Sequence, residues 1–301
     1  MKIVITHSSP DMDAITSVWL IKKYLPGWEN AVVKFVAAGD RIDSGKWKNK
    51  NELSPIECIE NDEVIHVDTG LGPLDHHQTA SDKVCGASLT WDYVRMQNSE
   101  FRIQNDKIKD RIEAVSRMIR VVVDEDHFKE VFWKNATADY YDFSLIAILD
   151  GLKIQKPNQD EYYVDFVTTC LDAILHGFEN RVWAEKEIAK KGQKFDTKFG
   201  KGIGIETIND AVIKLAQKMG YVIALRKDPR KGYVRIKAVP ATDKINIDLT
   251  PVYDKLKKMD PDATWFLHIS KKMLLNGSAK NPKMKPSKLK IDEIIKVLKE
   301  V

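Results

Sequence analysis

Short apolar runs and amphipathic stretches alternate over the first part of the chain. Residues 2–6, 31–38 and 63–69 are rich in β-branched side chains and predict three buried strands. Residues 13–24 lie between the first two runs and predict a helix that ends at the following Pro-Gly pair. This order predicts an α/β fold built on a parallel sheet with flanking helices.

The pattern then predicts longer helices, which are interrupted by a segment rich in glycine. Further helices are predicted from about residue 86, over 106–123 and over 159–191, and the last helix from about residue 290. The segment 192–204 carries four glycines and is predicted to be a linker. The predicted organisation is therefore a larger N-terminal domain at 1–191 and a smaller α/β domain at 205–301.

The C-terminal part is predicted to contain both strands and helices. Residues 221–239 predict a β-hairpin around an Asp-Pro-Arg-Lys-Gly turn. Residues 249–259 predict a helix, and residues 265–270 predict a strand.

Composition narrows the class of protein. The 301 residues include 43% hydrophobic and 31% charged side chains, which is typical of a globular chain with a sizeable core. A net charge of +4 does not by itself indicate nucleic acid. Cys58, Cys85 and Cys170 lack metal-ligand spacing and indicate a reducing compartment. With no signal peptide and no apolar stretch long enough for a membrane, a cytoplasmic location is expected.

Three groups of acids and histidines follow the apolar runs. His7, Asp11 and Asp13 come directly after the first predicted strand. Asp13 alone would be more simply interpreted as a helix N-cap, but His7 and Asp11 beside it favour a metal site. Asp68 ends the third predicted strand, where a solvated carboxylate is the alternative. His66, within that strand, is interpreted as a core histidine.

The triplet Asp75-His76-His77 is the strongest signal in the chain. It follows Asp68 by a short loop, which a polar surface turn would not explain. Because ligands accumulate at the carboxyl ends of parallel strands, these side chains are expected along one edge of the sheet. Carboxylates and imidazoles suit Mn²⁺, with Mg²⁺ or Co²⁺ as substitutes.

A site for two ions about 3.5–4 Å apart needs one further acid. Asp124 and Asp126, in the stretch VVVDEDHF, are the candidates, and the sequence does not separate them. An ordinary acidic helix end is the alternative interpretation. Asp139, Asp142 and Asp150 are weaker candidates.

These motifs carry a resemblance to a known group of enzymes. HSSPDMDAITS (7–17) resembles the first motif of the DHH phosphoesterase superfamily, Asp68 its second and Asp75-His76-His77 its third. Within that superfamily, HVDTGLGPLDHHQ followed by VCGASLTWDYV is similar to the melanocyte-proliferating-gene (Myg-like) branch of metal-dependent 3′→5′ RNA exonucleases.

The resemblance implies a role for each motif residue. His77 would face the substrate and Asp75 would orient the imidazoles. The implied ligand set is His7 and Asp11 for one ion, Asp13 and His76 for the other, Asp68 bridging both, and Asp126 or Asp124 completing the site of His7.

The resemblance also implies that a C-terminal domain closes over the metals across a cleft and binds phosphate through a glycine-containing loop. Asn276, Gly277 and Ser278, with Lys271 and Lys272 nearby, occupy that place. The last 31 residues carry nine lysines. The alternative to phosphate binding is that these lysines form an ordinary solvated surface.

The expected activity is Mn²⁺-dependent hydrolysis of phosphodiester bonds in short RNA or other oligonucleotides, as a 3′→5′ exonuclease. The alternatives are hydrolysis of a small phosphate compound, such as a nucleotide, a cyclic dinucleotide or pyrophosphate, and a non-catalytic nucleic-acid-binding or regulatory protein. The expected partner is a phosphate-containing substrate, with no membrane. The oligomeric state does not follow from the sequence.

Overall fold

The structure is a computed structural model that describes residues 1–43, 54–277, 281 and 283–300. The chain divides into two compact units, Met1–Glu179 and Asn180–Val301. Each unit has its own β-sheet. The predicted α/β class is therefore confirmed.

The first unit contains four strands in the order β2-β1-β4-β3. The strands are β1 (Lys2–His7), β2 (Val32–Val36), β3 (Ile56–Ile59) and β4 (Asp62–His66). β1 is parallel to both β2 and β4, as predicted. β3 was not predicted, and it pairs antiparallel with β4 at the sheet edge. Its four residues are only partly covered, so they lack the buried apolar run that marks a central strand.

Among the described residues, five α-helices lie in the first unit, and the last of them continues into the second. They are α1 (Met12–Tyr24), α2 (Gly86–Gln97), α3 (Asp106–Asp126), α4 (Leu145–Gln155) and α5 (Asp160–Lys191). α1 buries nearly all of its residues because it packs between the sheet and α2. α3 ends where Phe128 adopts a left-handed backbone with φ of 56°. No helix of the described residues is both long and apolar enough to cross a bilayer.

The second unit carries a six-stranded mixed sheet in the order β5-β6-β7-β8-β10-β9. Its strands are β5 (Gln193–Thr197), β6 (Gly200–Glu206), β7 (Ile223–Lys227), β8 (Val234–Ala238), β9 (Trp265–Leu267) and β10 (Met273–Asn276). Its helices are α6 (Ala211–Lys218), α7 (Thr250–Met259) and α8 (Ile291–Leu298). The antiparallel pair of β7 and β8 confirms the hairpin predicted over 221–239.

The segment 192–204 is not a free linker, because β5 and most of β6 lie within it and pair antiparallel. Its glycines are needed for close packing. A Cβ on Gly202 would lie 2.3 Å from the ring of Phe195, and a Cβ on Gly204 would lie 2.8 Å from the side chain of Ile295. The glycines of this segment predicted a flexible linker. In the structure, they leave room for the side chains of Phe195 and Ile295 to pack against the backbone of β6.

Candidate metal centre

The loop after β1 presents the first pair of candidate ligands. His7 is the last residue of β1, and Asp11 is the N-cap of α1, where its Oδ1 accepts a hydrogen bond from the Ala14 N–H at 3.0 Å. The other oxygen of Asp11, Oδ2, lies 3.6 Å from His7 Nε2. The cap therefore leaves one carboxylate oxygen free to face the histidine.

Asp13 caps a helix, but not the one on which it lies. Its side chain is buried and accepts hydrogen bonds from the backbone N–H groups of Gly86 and Ala87, each at 2.6 Å. These groups open α2, so the carboxylate sits at the positive end of that helix. The capping interpretation and the ligand interpretation are compatible, since each carboxylate oxygen keeps a second lone pair.

Asp68 lies two residues beyond β4 in a left-handed conformation, with φ of 52°. Its carboxylate is buried and faces His7 and His76. The Nδ1 of His77, which can form a ligand group with Asp68 and His76, lies 3.8 Å from Asp68 Oδ1. Oδ2 is 3.4 Å from His7 Nε2, and Oδ1 is 3.5 Å from His76 Nε2. The two oxygens of Asp68 thus point into two different groups of candidate ligands.

The loop that carries Asp68 is tied to the segment after β2. The Thr69 hydroxyl donates to the Asp40 carbonyl and accepts from the Gly39 N–H, both at 3.1 Å. The buried guanidinium of Arg41 reaches the Gly70 carbonyl and forms an ion pair with Glu57. These contacts offset the cost of a non-glycine residue in the left-handed region.

His76 faces three carboxylates. Its Nε2 lies 3.5 Å from Asp68 Oδ1, 3.5 Å from Asp126 Oδ2 and 3.7 Å from Asp13 Oδ2. The structure therefore places Asp126 in the centre, whereas Asp124 lines a separate groove between α2 and α3. Asp126 lies with His76 and Asp13 here, whereas the resemblance implied that it completes the site of His7. Its assignment to one ion stays a prediction.

Several of these buried atoms have no hydrogen-bond partner. His76 Nε2, Asp68 Oδ1 and Asp126 Oδ2 are inaccessible and unpaired, although polar atoms in such positions are normally satisfied. Ligand atoms about 2.1 Å from one ion are separated by roughly 3.0–3.5 Å at angles between 90° and tetrahedral. The observed separations of 3.4–3.7 Å are close to that range. Donor type, unpaired atoms and spacing together fit a bound divalent metal.

Within the Asp75-His76-His77 triplet, Asp75 is bonded to His77 and not to His76. Asp75 Oδ1 accepts from the His77 backbone N–H at 3.0 Å and lies 2.7 Å from His77 Nδ1. Its other oxygen accepts from the Leu71 N–H at 2.7 Å. Asp75 therefore fixes the orientation of the His77 ring through Nδ1. Because the imidazole is 58% exposed, its Nε2 remains available to a ligand.

His127 was missed as part of the centre. It can form a ligand group with His76 and Asp126. Its Nε2 lies 2.8 Å from the Val84 carbonyl, and its ring meets His76 edge to face at 5.8 Å. The only signal in the sequence was its place beside Asp126 in VVVDEDHF.

Burial and the neighbouring charges shift the pKa values of these groups. Burial lowers the pKa of His7, but Asp11 and Asp68 more than reverse this and raise it to about 10. The carboxylate of Asp68, together with the charges of Asp126 and Asp13, raises the pKa of His76 to about 9 against the effect of burial. Burial and the charge of Asp68 raise the pKa of Asp13. Both imidazoles are therefore protonated at neutral pH when no ion is bound.

Metal affinity should consequently rise with pH. Bound metal requires neutral imidazole, so binding at pH 7 must release protons from His7 and His76. In the metal-free protein, these raised pKa values contribute stability that is complete below about 6.5 and lost as the pH passes through about 9 and 10. The increase in Tm caused by Mn²⁺ should therefore grow between pH 6 and pH 8.

The measurement is thermal unfolding with and without Mn²⁺ at several pH values. Calorimetry in buffers of different ionisation enthalpy counts the released protons. The exposed His176 offers a control, because His176→Gln should leave both results unchanged. An increase in Tm that does not depend on pH would contradict the assignment of His7 and His76 as ligands.

The predicted phosphate loop of the second unit is engaged in internal contacts. Asn276 is fully buried, its amide donates to the carbonyls of Thr264 and Lys285, and its oxygen accepts from the Ser287 N–H at 2.7 Å. Three of the four hydrogen bonds that this side chain can form are made inside the unit, which gives Asn276 a structural role. A substrate contact at Asn276 stays a prediction. Ser278 lies outside the described residues.

The remaining residues of that loop also have partners. Lys271 Nζ lies 3.0 Å from Asp248 Oδ2, and Lys272 Nζ lies 2.6 Å from Asn246 Oδ1. A Cβ on Gly277 would lie 2.0 Å from the ring of Tyr233, and the backbone φ there is 79°. Packing against Tyr233 thus explains this glycine without a ligand, while the two lysines as substrate contacts stay a prediction.

No family model matches the sequence, and no curated protein matches it either. Among solved structures, one match is a chain described as a DHH domain of a member of the s1p family of ribosomal proteins. It has 12% identity and a TM-score of 0.29, over 98% of this chain and 85% of that chain. A second is an uncharacterized protein from Helicobacter pylori G27, with 11% identity and a TM-score of 0.26, over 99% and 98%. At these values, neither match defines the activity of the protein.

Proposed function

We propose that this protein is a metal-dependent phosphoesterase of the DHH superfamily. The observation that carries the proposal is Asp68, a buried carboxylate with Oδ2 3.4 Å from His7 Nε2 and Oδ1 3.5 Å from His76 Nε2. The motif order in the sequence supports the same assignment, since each motif contributes to this centre. A binding module would have no need for so many converging acids.

Two divalent ions would be held here, with Mn²⁺ favoured by the mixed oxygen and nitrogen donors. One ion would take His7, Asp11 and Asp68, and the other would take Asp13, Asp68, His76 and Asp126. When bound, such ions supply charge stabilisation and an activated water for displacement at phosphorus.

The side chains around the ions would prepare the substrate. His77 is exposed beside the centre, and Asp75 fixes its Nδ1, so its Nε2 would contact a phosphate oxygen or the leaving group. The amides at the start of α2 would hold Asp13 in place throughout turnover. The hydrolysed bond is proposed to be a phosphodiester in short RNA or another oligonucleotide, attacked from the 3′ end.

A panel of substrates tests this proposal. Purified protein with Mn²⁺ would be incubated with short RNA, short DNA, a dinucleotide diester, a cyclic dinucleotide and pyrophosphate. Release of mononucleotides from RNA, lost on chelation and restored by Mn²⁺, is the expected result. Cleavage of pyrophosphate or cyclic dinucleotide alone would favour the small-molecule alternative. Full activity after exhaustive chelation would contradict the proposed metal centre.

The two adjacent histidines should have separable roles. His76→Ala should lower metal occupancy, because its buried Nε2 faces Asp13, Asp68 and Asp126. His77→Ala should leave occupancy near normal and lower kcat by about 10²–10⁴-fold, the range of an acid–base or orienting contact. Elemental analysis and steady-state kinetics of both variants make the comparison. Equal loss of metal from the two variants would refute this division.

A further inference from the structure

A cavity lies in the first unit, in the groove between α2 and α3. Its volume is about 410 Å³, within the range of small-molecule sites. The floor is apolar, formed by Trp91, Ile119 and Val123, which are 3%, 5% and 8% exposed. None of the proposed metal ligands lines this cavity.

The rim of the cavity is polar and carries three cationic and two acidic side chains. Lys83, Arg120 and Lys129 contribute positive charge, whereas Asp92 and Asp124 contribute negative charge. Lys129 Nζ lies 3.2 Å from Asp82 Oδ2, whose side chain is 67% exposed, and it also donates to the Asp82 carbonyl. Arg120 lies 3.7 Å from the half-exposed Glu113. Exposed ion pairs of this kind contribute little, so these cations can exchange to a ligand at low cost.

The walls offer acceptors and a hydroxyl in addition to the cations. Ser116 Oγ accepts a hydrogen bond from the Trp91 indole at 3.2 Å, so its own proton can be donated elsewhere. Asp124 has a side-chain carboxylate on the same face of α3, eight residues further along. A carboxylate of this kind is suited to accept from hydroxyl groups, such as the vicinal pair of a ribose.

We propose that this groove binds a phosphorylated sugar, as a free sugar phosphate or within a mononucleotide. The phosphate would lie against Lys83, Arg120 and Lys129, and the sugar hydroxyls against Asp124. In a nucleotide, the base would cover Ile119, Val123 and the edge of Trp91. This site is separate from the metal centre and does not depend on the proposed phosphoesterase activity.

The groove is connected to the centre through both of its walls. Ser88 lies two residues after Gly86, whose N–H binds Asp13. Asp124 lies two residues before Asp126, which faces His76. A ligand held between α2 and α3 would therefore slow opening of the two helix ends that border the metal centre.

Calorimetry on the chelated 301-residue chain tests the binding of adenosine 5′-monophosphate and ribose 5-phosphate. Adenosine and inorganic phosphate serve as partial probes. Lys83→Glu/Arg120→Glu should weaken binding of the phosphorylated sugars by roughly tenfold or more, because charge-assisted contacts are lost. Lys107→Glu/Lys109→Glu changes the net charge equally at exposed positions of α3 outside the cavity. That control should leave affinity unchanged.

Hydrogen exchange locates the site independently of affinity. The ligand should slow exchange in peptides covering 86–97 and 106–126 of the chelated wild type, and not in Lys83→Glu/Arg120→Glu. A single Asp124→Asn variant, which conserves the side-chain shape, should weaken ribose 5-phosphate more than inorganic phosphate. Absence of saturable binding by either phosphorylated sugar, equal binding by the charge-reversed variant, or protection confined to 7–13 and 66–77 would overturn the proposal.

Discussion

Replacement of Asp68 by asparagine is expected to abolish turnover and to remove most of the bound metal. The asparagine side chain would keep the shape of the native one, but it would present one neutral oxygen where the carboxylate presents two charged ones. Because Oδ2 faces His7 and Oδ1 faces His76, the substitution weakens both proposed ion sites together. Loss of the proposed ions would remove the charge stabilisation that they would supply, and should lower kcat by roughly 10³-fold or more, on the order of 4 kcal/mol.

Metal content per chain and single-turnover rates measure this effect. Asp142→Asn is the matched control, since Asp142 is an exposed acid downstream of the motifs and belongs to none of the ligand groups. The control should bind metal and turn over as the wild type does. Retention of both ions by the Asp68→Asn variant would show that this carboxylate does not bridge two sites.

The local parts of this centre could be predicted from the sequence, because ligands next to a strand end are positioned by a few residues of backbone. His7 ends β1, Asp11 comes four residues later, and Asp68 lies two residues after β4. The structure brings these residues together with His76, as their spacing suggested. Their roles as ligands remain predictions, and the geometry supports them.

The choice between Asp124 and Asp126 could not be made from sequence. Both lie in the last turn of α3, and a rotation of about 200° separates two residues two positions apart on a helix. Which of them faces His76 depends on how α3 packs against α2, a long-range contact without a local signal. The structure turns Asp126 toward the centre and Asp124 toward the groove.

The second unit was harder to predict for a similar reason. Asn276 stands in a polar, lysine-rich stretch that indicates a ligand loop, yet it is fully buried and bonds to three backbone groups. Composition reports which side chains can bind phosphate. It does not show which of them already form hydrogen bonds with the backbone inside the unit.

The close approach of α2 to Asp68 depends on Gly86. A Cβ at this position would lie 2.9 Å from Asp68 Cβ, 3.0 Å from Asp13 Oδ2 and 3.2 Å from Asp68 Cα. Two of these atoms belong to a backbone or to its first side-chain carbon, so they cannot move aside without moving the loop. The helix start would have to retreat, and the Gly86 and Ala87 N–H groups that hold Asp13 would retreat with it.

Gly86→Ala is therefore expected to damage the centre although alanine is the better helix former. Overpacking at this point should cost about 1–3 kcal/mol of stability, and misplacement of Asp13 should lower metal affinity by about 10–100-fold. Gly151→Ala is the control, because Gly151 lies in α4 with no atom within 4 Å of an added Cβ. That substitution should raise stability by roughly 0.5–1 kcal/mol and leave metal affinity unchanged. Thermal unfolding and Mn²⁺ calorimetry of both variants decide the matter: if Gly86→Ala gains stability and binds Mn²⁺ normally, the start of α2 does not set the position of Asp13.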